Sequence, residues 1–245
     1  MANAPYMYWV GMNTPLDVST QDLADFNDFY SNTHAREVLA ANSGFIRATR
    51  YELLEQDARG NFGPRWLAMY EMDSQKAADL YIERNDGPPE GRPGYSPGPA
   101  AWQRYEGWWR LMWHRLVPEA GELGAGGAPY VYMVGMDVPE DTDEQGLREF
   151  NDFYTQIHVP EVVSVSSFLS GIRYGLYRDF RHPEPGSPHF LAVYEANDAS
   201  MKARAARAAN PGAASPLSEG PPAWEGHVTA WRLMYRRIDS QTRGQ

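Results

Sequence analysis

The chain has 245 residues, 42% of them hydrophobic and 22% charged, a globular balance that excludes a disordered or fibrous polypeptide. Its 22 basic against 32 acidic residues give a net charge of −10, which repels nucleic-acid backbones and anionic membrane surfaces alike. The lack of cysteine excludes disulfides, thiolate nucleophiles and zinc–cysteine sites, and leaves a folded enzyme or binding protein.

Tyr6 to Met12 is rich in aromatic and aliphatic residues and stops short of Pro15, which predicts a first strand. Ser19 or Thr20 can cap a helix that begins near Gln21 and carries Phe26, Tyr30 and Leu39 at helical spacing. Phe45 to Leu54 and Arg65 to Met72 read as the next two strands, joined by a turn around Arg59, Gly60 and Asn61. A second helix is expected over Gln75 to Glu83, then a proline- and glycine-rich loop from Gly87 to Pro99, then a last strand from Gly107 to Leu116. The stretch from Pro118 to Pro129 is glycine-rich with little apolar content, and reads as a flexible tether.

Beyond the tether the chain repeats itself. Tyr6 to Met12 matches Tyr130 to Met136, and Phe26 to Tyr30 matches Phe150 to Tyr154, both displaced by 124 positions. Leu67 to Glu71 recurs as Leu191 to Glu195 at the same displacement, and Trp109 to Trp113 as Trp231 to Tyr235 at 122. Four blocks in one order imply a tandem duplication, with repeats over residues 1–118 and 130–240 and a linker over 119–129. The expected fold class is α+β. Each repeat reads as a ferredoxin-like β-α-β-β-α-β unit, four antiparallel strands with two helices on one face. Trp108 to Trp113 carries bulky groups on both sides of its strand, so each sheet needs cover on its second face, and the two units are expected to pack sheet to sheet. The N-terminal residues show no basic region followed by an apolar run, and no stretch approaches membrane-spanning length; a cytoplasmic protein without a membrane partner is expected.

Phe150-Asn-Asp-Phe-Tyr154, His158-Val-Pro-Glu161 and Ser170-Gly-Ile-Arg-Tyr174 together resemble the dimeric α/β-barrel superfamily, its EthD-like branch in particular. The resemblance covers both repeats and implies an intramolecular barrel. It also implies a wide range of chemistry: cofactor-free monooxygenases, polyketide cyclases, isomerases, dehydratases, heme enzymes and proteins without known activity. In the first repeat Ala35 and Arg36 stand where Val159 and Pro160 follow the histidine, which makes the second repeat the better candidate if one site alone is active.

On a helix, Asn151, Tyr154, His158 and Glu161 share one side, as do Asn27, Tyr30, His34 and Glu37, and that side overlaps the apolar stripe of Leu147, Phe150 and Ile157. His158 or His34 can then act as a base, with Tyr154 or Tyr30 donating to a developing oxyanion. The plainer alternative is a histidine bonded to a backbone carbonyl, with its tyrosine filling the core. Glu161 is placed to orient the imidazole or to face solvent. Arg50 and Arg173 end the second strand, and Arg110 and Arg232 lie inside the last. Each can clamp a substrate anion or pair internally, with Glu71 and Glu195 as the nearest choices. Trp102 and Trp224 close the long loops and can roof a cavity. His182 and His189 flank a proline-rich segment that reads as an exposed loop. No spacing nominates a metal site. Eight tryptophans and fifteen tyrosines suit a flat aromatic or hydrophobic substrate. The leading expectation is a cofactor-independent enzyme of secondary metabolism or aromatic degradation, of cyclase, dehydratase or isomerase type. A cofactor-free monooxygenase, a small-ligand carrier and a heme-binding protein are the alternatives, and association of two such pseudo-dimers stays open.

Overall fold

A computed structural model describes residues 4–56, 63–116, 127–210 and 217–244, with the backbone of 120–121. The turn expected at 59–61, most of the linker and residues 211–216 lie outside the described residues. The first half runs β1 (Tyr6–Asn13), α1 (Thr20–Phe29), a π-helical turn (Tyr30–His34), α2 (Ala35–Ala41), β2 (Phe45–Glu55), β3 (Trp66–Met72), α3 (Gln75–Asp86), α4 (Ala100–Gln103) and β4 (Glu106–Arg115). After β5 (Ala120–Gly121) come β6 (Tyr130–Asp137), α5 (Glu144–Phe153), a second π-helical turn (Tyr154–His158), α6 (Val159–Val165), β7 (Ser170–Arg181), β8 (Phe190–Ala196), α7 (Asp198–Ala209), α8 (Pro222–Glu225) and β9 (Val228–Thr242). Ala120 and Gly121 pair with Gly171 and Ser170 of β7, so part of the expected tether belongs to the sheet.

The strands are antiparallel and follow the order β4-β1-β3-β2-β9-β6-β8-β7, and β4 also pairs with β7. An eight-stranded barrel is thereby closed. The sequence suggested two sheets laid face to face. They are joined edge to edge as well, β2 to β9 and β4 to β7. Edge pairing satisfies backbone N–H and C=O groups that stacked sheets would leave open, and closure removes the exposed edges.

Alternation along the strands sorts the core into layers. Trp9, Leu67, Met69, Trp109, Leu111 and Trp113 point inward and meet Met133, Val193, Trp231 and Leu233 from the other half. Tyr8, Ala68, Tyr70 and Met112 point outward beneath the first-half helices, and Val134, Ala192 and Tyr194 do the same in the second half. The middle of the barrel is therefore a packed core, and open space lies at the barrel mouth, beside Trp108 and Pro185, and between helices and sheet. Gly11 and Gly135 sit where this packing is tightest: a Cβ on Gly11 would fall 2.4 Å from Pro64 Cγ, and one on Gly135 would fall 2.7 Å from Pro188 Cγ and from Trp231. Gly135→Val is expected to cost about 1–3 kcal/mol by overpacking, read as a lower urea midpoint at unchanged slope.

α1 begins where expected, with the Ser19 hydroxyl accepting from Asp22 N at 3.1 Å, and Asp143 caps α5 on Gly146 N at 2.8 Å. The expected single helix is interrupted. At each π turn the chain bonds from residue i+5, Ala35 N to the Tyr30 carbonyl and Val159 N to that of Tyr154. The wider turn keeps Tyr30 with His34, and Tyr154 with His158, on the sheet-facing side. Among the described residues no helix is long and apolar enough to cross a membrane.

Candidate functional site

The helical layer of the first half encloses a cavity of about 550 Å³ over the outer face of β1, β3 and β4. Tyr8, Tyr70 and Arg110 come from the strands, Tyr30 and His34 from the π turn, Tyr81 from α3, and Tyr95, Trp102 and Tyr105 from the long loop and α4. The loop is fastened to the helix by Glu37, whose carboxylate accepts from Ser96 N at 3.1 and 3.2 Å. Glu161 holds Ser218 N at 3.0 Å in the second half. Of the two places considered for Glu161, beside the imidazole or facing solvent, its carboxylate takes the solvent side and there ties down the loop that carries the tryptophan. Gly98, at φ +69°, lets that loop turn close to Trp102, where a Cβ would fall 2.5 Å from the indole.

His34 sits among rings: Trp102 at 4.5 Å between centroids, Tyr95 at 5.0 Å and Tyr30 at 5.2 Å. Its Nδ1 is buried without a hydrogen-bond partner. Burial pulls the imidazole down to about 4, against an opposing pull from Glu37, so the ring is neutral at neutral pH. Burial pushes the Tyr30 phenol up to about 12, and Tyr70 Oη lies 3.5 Å from it. A neutral imidazole beside a firmly protonated phenol pairs a proton acceptor with a donor.

Arg110 also lines this cavity. Its Nε donates to Tyr8 Oη at 2.7 Å and its Nη2 to Asn85 Oδ1 at 2.9 Å. The structure thus gathers Tyr30, His34, Trp102 and Arg110 of the sequence candidates, and leaves Asn27 and Arg50 elsewhere. Arg50 donates to the Asn27 carbonyl at 2.9 Å, Asn27 Oδ1 at 2.8 Å and Ser31 Oγ at 2.8 Å, and its guanidinium lies 4.3 Å from the Tyr30 ring. Arg173 repeats this arrangement with Asn151, Thr155 and Tyr154. The Arg50–Glu71 and Arg173–Glu195 pairings considered from sequence are corrected, because each arginine points outward to the helix while Glu71 and Glu195 point into the barrel. Glu71 lies 3.9 Å from Arg47.

In the second half, Trp224 lies 4.2 Å and Tyr154 5.4 Å from the His158 ring, which burial also lowers to about 4. Arg232, the counterpart of Arg110, donates to Thr229 Oγ1 at 3.1 Å. The cavity described above lies at His34, in the half the motif comparison ranked second. His182, expected in an exposed loop, stacks on Trp109 at 5.4 Å. His189 is exposed as expected and meets Asp137. Tyr8, Tyr81, Tyr95 and Arg181 were not singled out from sequence; only the register that brings distant strands and loops together identifies them.

No family model matches the sequence, and no curated protein matches it. Solved structures do match along its whole length. An anthrone oxidase-like protein aligns at 12% identity over 100% of this chain and 96% of its own, with a TM-score of 0.54. A mutant chlorite dismutase from Candidatus Nitrospira defluvii aligns at 10% identity over 97% and 93%, with a TM-score of 0.52. The chain has the dimeric α/β-barrel fold. At such identities the likeness is one of fold, and the activity of this barrel must be argued from its own cavity.

Proposed function

We propose that this barrel is an enzyme acting on a small aromatic or hydrophobic metabolite in the His34 cavity, by proton transfer of cyclase, dehydratase or isomerase type and without a cofactor. The observation that carries this reading is the neutral imidazole of His34 on the wall of an aromatic cavity, one helical turn from the protonated Tyr30. His34 takes a proton from carbon or oxygen and Tyr30 donates to the oxygen where charge develops. So weak a base suits an already acidic C–H or O–H group, such as one flanked by aromatic rings and a carbonyl. His158 and Tyr154 form the second-half counterpart, and Asn27, Asn151, Arg50 and Arg173 support the two helices from behind. We also infer a tandem pair of ferredoxin-like units of the EthD-like branch, over 1–118 and 130–240 about a linker at 119–129; the matched blocks and equal strand order support it.

A second reading, oxygen attack on the same deprotonated substrate, is favoured by the fold likeness to an anthrone oxidase-like protein. Heme fits poorly. A porphyrin needs an imidazole facing an open slot, whereas Trp102 and Tyr95 crowd His34 within 5.0 Å and Trp224 crowds His158 at 4.2 Å.

Anthrone, whose methylene is acidified by two rings and a carbonyl, is a suitable probe in D2O under nitrogen. Exchange of that methylene is expected to fall by roughly 10²- to 10⁴-fold in His34→Ala and to persist in His158→Ala. The rate should hold constant through neutral pH and fall with a midpoint near 4, where His34 protonates. Accelerated exchange unchanged in His34→Ala would refute the base assignment, exchange no faster than in buffer with the unaltered protein would leave a carrier, and oxygen uptake on admitting air would select the oxygenase reading.

A further inference from the structure

Arg110 and Arg181 are register partners across the β4–β7 seam, and both line the His34 cavity. One comes from each half of the chain, so the pair exists only because the barrel closes. Arg110 is half-buried and bonded to Tyr8 and Asn85, while Arg181 stands at the exposed rim and donates to the Gly107 carbonyl at 3.2 Å. All of these partners are neutral. Among the described residues neither guanidinium takes part in an ion pair.

Like charges set opposite each other on antiparallel strands weaken the pairing unless something neutralises them. The described lining of the cavity contains no aspartate or glutamate, although the chain carries 32 acidic residues and a net charge of −10. Here the sign of the lining runs against the sign of the protein. The approach of Arg181 is also braced. Phe180 lies 5.4 Å from the Arg110 guanidinium and packs edge-on to Tyr8 and Tyr81, Tyr177 Oη donates to Asp79 of α3 at 2.6 Å, and Arg178 meets Asp86 at 3.1 Å. These contacts bind the end of β7 to α3 and hold the second guanidinium over the first-half cavity.

We infer that the cavity takes a flat aromatic ligand bearing an anionic oxygen, a carboxylate, phenolate or enolate, held between Arg110 and Arg181. This rests on the reading of the His34 cavity as the ligand site. Its consequence for chemistry is direct: two guanidinium groups stabilise the anion that proton loss creates, which lowers the acidity barrier that a weak base such as His34 must meet.

The full chain is titrated at neutral pH with 2-naphthoate and with the neutral 2-naphthamide, by calorimetry. Naphthoate is expected to bind about tenfold or more tightly than naphthamide, the preference shrinking with added salt. Arg181→Gln should abolish most of the preference while leaving naphthamide affinity in place, which also certifies a folded cavity; Arg110→Met should do the same. Equal affinity for the two probes, or a preference that survives both substitutions, would overturn the anion assignment. Trp102→Ala separates this from the underlying reading: if both probes lose affinity in it the cavity stands, and if neither probe binds, or Trp102→Ala leaves binding untouched, the cavity reading and the anion assignment fall together.

Discussion

Arg173→Met is expected to lower the stability of the fold by about 3 kcal/mol, since it strips partners from buried acceptors without offering replacements. The side chain donates to the Asn151 carbonyl at 3.1 Å, to Asn151 Oδ1 at 2.9 Å and to Thr155 Oγ1 at 2.8 Å, and its guanidinium lies 4.2 Å from the Tyr154 ring. Arg173 is 1% exposed, so water cannot take its place. Methionine fills much of the volume but satisfies none of the oxygens. Urea denaturation followed by tryptophan fluorescence measures the loss, and a change below about 1 kcal/mol would show that the helix does not depend on this bracket. Binding of a ligand at His34, in the other half, should be unchanged in the folded variant. That contrast separates the arginines that build helices, Arg50 and Arg173, from Arg110, which reaches the cavity.

Stability should fall steeply as the solution is acidified from pH 6.5 towards 4. His34 and His158 have an ordinary value of 6.5, and burial, the largest influence on each, pulls both to about 4 in the fold. Glu37 and Glu161 oppose that shift without reversing it, and Arg50 and Arg173 add to it. In this window the unfolded chain binds protons that the folded chain refuses, so acid favours unfolding. Each histidine contributes up to about 3 kcal/mol to the loss, fully expressed only below about 4. The double variant His34→Gln, His158→Gln should show a markedly flatter dependence over the same range. Parallel stability curves for the two proteins would mean that neither imidazole resists protonation.

Much of the architecture is legible in the sequence, because repeated blocks such as Tyr6 to Met12 and Tyr130 to Met136 mark equivalent strands whatever their propensities. The bounds of β2 and β3 follow from hydrophobic runs and turn residues. The π turns are not legible: their local propensity is that of any helix, and the i+5 bond reflects how tertiary packing accommodates Tyr30 and Tyr154. The misplaced partner of Arg50 has a different cause. Sequence proximity to aromatic strands suggested Glu71, but Arg50 has the strand parity of the outward Ala48, whereas Glu71 has that of the inward Leu67 and Met69. Opposite faces of a sheet cannot share an ion pair. Arg181 was beyond reach for a third reason, since its neighbour across the seam lies 71 positions away and is set by barrel closure. The motif led to His158 because Val159 and Pro160 complete it; the cavity beside His34 is shaped by loop packing, with Tyr95 and Trp102 brought to its edge from the segment between α3 and β4.

The central claim is that the space beside His34 is where a small aromatic molecule binds. A crystal structure of the full chain soaked with anthrone tests it most directly. The account predicts a flat ligand between Tyr8, His34 and Trp102, with its oxygen towards Arg110. A ligand at the barrel mouth between Trp108 and Pro185, or against His158, with the His34 cavity left to solvent, would contradict it.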